Sequence, residues 1–418
     1  MRILHIAPHL GGGVGKAHAA IAAALPPWIR QTFLLLEPPR DRSYLERIEA
    51  SGGHIIMARD LNHVAQCAAE ADIVQFEFWN HPRLFECLAR AEFPPLRTVF
   101  WCHISGIAKP VIPPALMERA GRFVFTTEAS MISRSVAMLS EAGRRKLAVI
   151  NSGFGFEEIP ARSLHGGTPS LAYLGTVDFV KMNPVFFDAI DRLKNDVSVR
   201  VWGHFDPAGP VVARARASRR PQRIAFCGHT GNPGQALASA DIFFYPLQPD
   251  HYGTSENALV EAMSLGLPVL VLNNPAELAI VRHGETGLVA ASLLDCVQLL
   301  EALLASSELR ETLGRNAARH VAETRTPARA ARQFVELWQD LRQTPARKPD
   351  FRAIVGEEPA DWYLATQCLP GERWNPGPAT ESPLPVKGRF AHFAAAFPGD
   401  PSLARLAALS SPAAPESR

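Results

Sequence analysis

Several things are scarce in this 418-residue sequence, and each shortage excludes a class of protein. The six cysteines, Cys67, Cys87, Cys102, Cys227, Cys296 and Cys368, include no close pair. That argues against a zinc site or a disulfide framework and suits a reducing, cytoplasmic compartment. No apolar run approaches the roughly 18 residues a membrane-spanning helix needs. Residues 1–4 lead straight into a strand and a glycine loop, without the apolar stretch of a signal peptide. Any membrane contact is therefore expected to be peripheral. The formal charge of +2 removes the general electrostatic reason to expect nucleic acid as a partner. No Asp-x-Asp pair is placed to hold a metal–nucleotide complex and no His/Cys ligand cluster stands out, so no metal is expected.

What is present reads as α/β. Hydrophobic residues at 47% and charged residues at 20% fit a globular chain with sizeable cores, long enough for two domains. Apolar runs at 2–7, 31–37, 54–57, 72–77, 98–102, 123–127 and 148–150 alternate with helical patterns such as 17–25 and 42–50. Such alternation predicts a parallel sheet wrapped by helices over residues 1–150. The pattern restarts with strands at 170–175, 197–203, 223–228, 242–245 and 269–272, defining a second domain over 151–326. Thr326-Pro327 is a helix start, and a helix is expected over 327–341. The remaining 345–418 is rich in proline, yet it carries Trp362, Tyr363, Leu364, Trp374, Phe390, Phe393 and Phe397. So many large apolar groups predict an ordered, mostly irregular extension over the core, with one short helix at 389–396 and a disordered end after Leu409.

The densest motif runs from Ala240 to Leu288. It predicts strand, loop, helix from Asn257, a stop at Gly266, and the next strand. The helix starts at the C-terminal edge of a strand, where open α/β sheets bind ligands and where helix N–H groups meet anions. Ser255 or Thr254 is the expected N-cap. Gly11-Gly12-Gly13-Val14-Gly15-Lys16, after the first strand, is a second anion-cradling shape, with a ligand-free tight turn as its alternative.

The stretch Glu261-Ala262-Met263, Gly266, Pro268, Glu277 and Gly284-Glu285-Thr286-Gly287-Leu288-Val289 resembles the retaining glycosyltransferases of the two-domain GT-B architecture, the glycosyl transferases group 1. The resemblance implies two Rossmann-like domains facing across a cleft, 327–344 returning to the first domain, and transfer of a sugar with retention. It implies a nucleoside-diphosphate sugar as substrate rather than a cofactor, metal independence, and a glycan or glycolipid acceptor, as in polysaccharide biosynthesis. It also assigns roles. Gly12 and Gly13 would lie near the donor diphosphate. Gly175, with Lys181 six residues on, would hold the leaving diphosphate, although the family's Arg position is Thr176 here. His229 and Thr230, in the turn after a strand, would pack on the nucleobase. Ser255, Asn257 and Ala258 would face the phosphates, Glu261 the ribose and His103 the reacting sugar. The family's first Glu falls at Gly253, and Glu256 is the nearest carboxylate. It can contact the donor sugar or serve as an N-terminal helix carboxylate. The basic run Arg214, Arg216, Arg219, Arg220 and Arg223 reads as a solvated helix and turn, with an anionic lipid surface as the alternative. A nucleotide-sugar epimerase or hydrolase of the same architecture, or a non-catalytic nucleotide-sugar binder, remains open on the residues alone.

Overall fold

The computed structural model describes residues 1–39, 41–153, 160, 169–251, 253–375 and 388–410. They form two compact units, Met1–Ile150 with Ala331–Arg418, and Asn151–Ala330. The second boundary falls inside the helix Pro327–Arg342.

The first unit is built on seven parallel strands: β1 (Arg2–Ala7), β2 (Arg30–Leu35), β3 (His54–Met57), β4 (Ile73–Phe78), β5 (Thr98–Cys102), β6 (Arg122–Phe125) and β7 (Leu147–Val149). Their order is β3-β2-β1-β4-β5-β6-β7, so chain order reverses between β1 and β4. All six residues of β4 are buried, as expected for a strand covered by helices on both faces. Among its described residues the second unit has six: β8 (Ser170–Leu174), β9 (Ser198–Trp202), β10 (Ile224–Gly228), β11 (Ile242–Tyr245), β12 (Val269–Leu272) and β13 (Leu288–Ala290). Their order is β10-β9-β8-β11-β12-β13, reversing between β8 and β11. Ligands of open α/β sheets bind at the carboxyl ends of strands flanking such reversals. The chain thus has two candidate positions, one after β1 and β4 and one after β8 and β11.

Three expectations need correction. The first helix is Gly13–Ala22, not 17–25. Gly12, at φ 82°, makes the turn, and the helix begins inside the glycine run. Gly15 is required there by close packing, since a Cβ would sit 1.8 Å from the Leu10 carbonyl oxygen. The extension is also more helical than its prolines suggested. Arg352–Val355, Pro359–Leu364, Phe390–Ala396 and Pro401–Ser410 are helices. Pro359 and Pro401 are their first residues, where a missing N–H costs nothing. Finally, Trp374 is only half-buried, whereas Trp362, Phe393 and Phe351 join the first unit's core. Of the end expected to be disordered after Leu409, Ser410 instead closes the helix Pro401–Ser410, and 411–418 lie outside the described residues.

Candidate functional site

The loops after β8 and β11 converge on one carboxylate. Glu256 is the N-cap of the helix Asn257–Ser264 and stands in the left-handed region, at φ 39° and ψ 63°. Its side chain caps no helix N–H, and neither Ser255 nor Thr254 is the N-cap. The Ser255 hydroxyl instead meets that of Ser152, 2.8 Å away. A non-glycine residue in this conformation is strained by about 1–3 kcal/mol, the kind of cost that persists where surrounding contacts impose it. Those contacts are visible. The Tyr245 hydroxyl donates to Glu256 Oε2 at 2.8 Å, and Lys181 Nζ lies 3.0 Å from the same oxygen. Burial disfavours the charged carboxylate, but Lys181, His251 and Tyr245 outweigh it and hold Glu256 below the usual range. The Tyr245 hydroxyl is pushed up, by burial first and then by Glu256.

His251 and Glu277 complete the cluster. The Gly253 N–H donates to His251 Nδ1 at 3.0 Å, so Nε2 carries the proton and points at Glu277 Oε1, 3.0 Å away. Burial raises Glu277. A Cβ at Gly253 would lie 1.8 Å from Glu256 Oε1. The Glu256 carboxylate therefore occupies the space that a side chain at 253 would enter.

The other candidates of the second unit lie at the carboxyl ends of its strands or on the helix Asn257–Ser264. Gly175 and Thr176 follow β8, and the Thr176 carbonyl accepts from the Tyr173 hydroxyl at 2.9 Å. Asn257 and Ala258 open the helix, and Glu261, 4% exposed, sits on its second turn. His229 follows β10 and stacks on His204, with ring centroids 4.6 Å apart and planes 3° from parallel. Thr230 Oγ1 accepts from the Asn232 N–H. Within the basic run Arg214 pairs with Asp188 and Asp191, and the buried Arg223 with Asp196, while Arg216, Arg219 and Arg220 are exposed, as a solvated helix and turn would have them.

In the first unit, Gly12 and Gly13 follow β1 and His103 follows β5. His103 belongs to a buried network that sequence reading missed. Its centre is Glu77 on β4, wholly buried. Glu77 Oε2 lies 2.9 Å from His103 Nε2 and 3.0 Å from His18 Nε2, and Oε1 accepts from Gln75 and His5 at 3.0 Å each. The Gln31 amide donates to His5 Nε2 at 2.8 Å, and Trp338 Nε1 donates to Gln75 Oε1 at 3.0 Å. Burial lowers His5 to about 4, so it is neutral. Against burial, His18, His103 and His5 hold Glu77 well below the carboxylate range. The available signal was a Glu in the middle of an apolar strand, which both-face burial makes costly unless several donors meet it.

Among the described residues, two side-chain groups have the donors a metal ion uses, His5–His18–Glu77 and His9–Glu37–His81. Their hydrogen bonds do not suit an ion. His5 engages both ring nitrogens. The Nδ1 atoms of His9 and His81 accept from the Gly11 and Arg83 N–H groups, so each Nε2 holds the proton and has no lone pair for a metal. No helix among the described residues is long and apolar enough to cross a membrane.

Residues 168–306 match the model of the family described as glycosyl transferases group 1, over the segment that contains Lys181, Glu256, Glu261 and Glu277. A "Glycosyltransferase 1 domain-containing protein 1" of Xenopus tropicalis is 39% identical over 64 residues, spanning 15% of this chain and only 19% of that protein. HepE of Anabaena, solved with UDP and glucose, superposes with a TM-score of 0.66 at 15% identity, over 81% of this chain and 100% of that one. A glycosyltransferase of Rickettsia africae gives 0.65 at 12% identity, over 82% and 99%. Sucrose-phosphate synthase of Thermosynechococcus elongatus gives 0.62 at 15% identity, over 82% and 99%. The chain has the α/β fold of the GT-B glycosyltransferases.

Proposed function

We propose that this chain is a glycosyltransferase that moves a sugar from a nucleoside-diphosphate sugar to a hydroxyl-bearing acceptor, with retention and without a metal. The observation that carries the reading is the Lys181–Glu256 pair, at the reversal of the second sheet and at the N-terminus of Asn257–Ser264. A departing diphosphate gains negative charge, and a fixed ammonium beside free helix N–H groups is matched to that charge. Glu261, buried one turn further on, suits vicinal ribose hydroxyls. The structures of HepE with UDP and with UDP-glucose make UDP-sugars the first donors to try. The acceptor is read as a glycan or glycolipid bound by the first unit near Gly12, Gly13 and His103, in the cytoplasm. Metal independence is supported by the hydrogen-bonded state of both histidine groups.

A non-catalytic nucleotide-sugar binder is the second reading. Thr176 replaces the expected Arg, and Lys181 is already paired, which reduces the positive charge available to a leaving group. Calorimetric titration with UDP and a panel of nucleotide sugars, followed by NMR of the product anomer, tests both. Binding with turnover and an unchanged anomeric configuration supports transfer with retention. An inverted product removes retention, and tight binding without turnover on any acceptor removes transfer.

A further inference from the structure

The second sheet ends on β10, which pairs with β9 on one side and, among the described residues, with no strand on the other. Such an edge presents unpaired N–H and C=O groups, and proteins commonly guard it with a proline, a lysine or an inward charge. Ile224, Ala225, Phe226, Cys227 and Gly228 include none of these. Pairing is regular from Ile224 to Phe226 and shifts before Gly228. Ala225 is exposed, whereas Ile224 and Phe226, on the other face of the strand, are half-buried. With Phe205, Val212, Ala215 and Pro221 they line a groove of about 280 Å³ beside the helix Pro210–Arg216. The rings of Phe205 and Phe226 lie 5.0 Å apart. Small-molecule pockets hold about 300–1,000 Å³, so this groove suits one or two side chains better than a cofactor. The charged residue in its wall is Arg216, and Arg219 and Arg220 follow in the turn that leads to β10. None of these three exposed arginines has a side-chain hydrogen bond or ion pair among the described residues, whereas Asp188, Asp191 and Asp196 neutralise Arg214 and Arg223. Asp206, beside Phe205, is the acidic group of the lining loop, and its Oδ1 accepts from the Ala208 N–H at 2.9 Å.

We propose that the β10 edge is a docking surface for an acidic, extended segment of a partner protein. The segment adds to the sheet as a further strand, seats apolar side chains two positions apart in the groove, and sets its carboxylates against Arg216, Arg219 and Arg220. In strand addition the main-chain hydrogen bonds supply affinity and the pockets for alternate side chains supply specificity. The arginines add charge complementarity, which steers encounter and fixes register. An anionic bilayer takes up an apolar face that projects, and the apolar face here is recessed. A second copy of the chain would bring two sets of arginines into one interface, where like charges oppose each other. The surface lies two strands away from the reversal between β8 and β11. It draws on none of Lys181, Glu256 and Glu261, and it stands whether or not the chain transfers a sugar.

The probe is a short fluorescein-labelled peptide, rich in glutamate and carrying two phenylalanines two positions apart, titrated against the full chain. Fluorescence anisotropy at low salt should give a Kd below about 100 μM. The same peptide with lysine in place of glutamate should bind at least about tenfold more weakly, and raising the salt from about 50 to about 500 mM should weaken the acidic peptide by a similar factor. Arg216→Glu, Arg219→Glu and Arg220→Glu combined, all at exposed positions that the fold tolerates, should weaken it about tenfold or more. Hydrogen exchange should slow at 224–228 when the peptide is added and stay unchanged at β13, the opposite edge of the sheet. No binding at about 1 mM peptide, or binding that the triple variant retains, overturns the proposal. Slowed exchange elsewhere without slowing at 224–228 overturns strand addition. Binding to phosphatidylglycerol vesicles but not to the peptide, lost in the triple variant, overturns the partner protein in favour of a membrane surface. A concentration-dependent dimer whose exchange slows at 224–228 without peptide overturns it in favour of a second copy.

Discussion

Lys181 Nζ stands 3.0 Å from Glu256 Oε2, and the carboxylate it meets fills the space beside Gly253. The two residues come from the loops after β8 and β11, the strands between which chain order reverses. A cation that would face a diphosphate is thus held in advance by a carboxylate only three residues from the position where the family pattern puts its own. The pair fixes Lys181 before any ligand arrives, at the expense of part of its charge.

Lys181→Ala should therefore lower kcat far more than Lys181→Arg. Loss of one preorganised charge contact to a developing diphosphate costs on the order of 3 kcal/mol in a water-poor site. Arginine keeps the charge and can still meet Glu256. Steady-state kinetics on both variants checks this, and an alanine variant turning over like the parent would place the leaving group elsewhere.

Glu256 and Glu261 should separate by ligand. Glu261→Gln should weaken both the bare nucleoside diphosphate and the full donor, by about 1.5–3 kcal/mol for charge-assisted hydrogen bonds. Glu256→Gln should leave nucleotide binding intact or tighten it, because it releases Lys181 and removes a negative charge near the phosphates. Its donor turnover should fall. Calorimetry with nucleotide and nucleotide sugar decides the pair. Loss of nucleotide binding in Glu256→Gln but not in Glu261→Gln would reassign the ribose to Glu256.

The two sheets were legible because their strands are continuous apolar runs, and the motif after β11 was legible because Gly266 and Pro268 punctuate it. The missed chemistry lies in residues whose roles depend on distant partners. Tyr245 reads as one more apolar strand residue, yet its hydroxyl meets a carboxylate in the following loop. His5, Glu77 and His103 come from three strands that only the sheet brings together. The N-cap was misread because Ser255 is the better capping residue by type, whereas the pull of Lys181 and Tyr245 puts Glu256 there in a strained conformation. Pro359 and Pro401 read as helix breakers but begin helices, which requires knowing where the helix starts.

Acid should destabilise the first unit before carboxylates in general titrate. Burial lowers His5 to about 4 from 6.5, so the unfolded chain binds that proton first and stability falls as pH drops from 6.5 towards 4. The loss from His5 alone is about 3 kcal/mol at the bottom of that window. His103, also lowered, shifts in the same sense. Glu77, held well below its ordinary value, adds a loss that begins lower, as pH falls past its unfolded value of 4.5. Of the seven tryptophans only Trp202 lies in the second unit, so tryptophan fluorescence reports mainly on the first. Urea midpoints should fall between pH 7 and pH 5, and equal midpoints would mean that His5 is not held neutral by the fold.

The extension should behave as part of the first unit's core rather than as an appendage. Trp362 is fully buried. Its indole N–H donates to the Gly356 carbonyl at 3.1 Å, the Arg90 guanidinium lies 4.9 Å from its ring centroid, and Phe397 packs on it edge to face. Trp362→Ala leaves a cavity and should cost about 3–5 kcal/mol. Leu409→Ala, in the last helix but 72% exposed, should stay within about 0.5 kcal/mol. Removing everything after Thr344 takes Phe351, Val355, Trp362, Tyr363 and Phe393 out of that core together. Each fully buried side chain of this kind contributes roughly 1.5–3 kcal/mol, so the shortened chain should lose most of the first unit's stability or become insoluble. Thermal and urea melts of the three variants beside the parent test this. A truncated chain that melts like the parent and stays soluble would mean that the first sheet and its own helices close the core unaided, and Trp362→Ala would then have to be nearly silent as well.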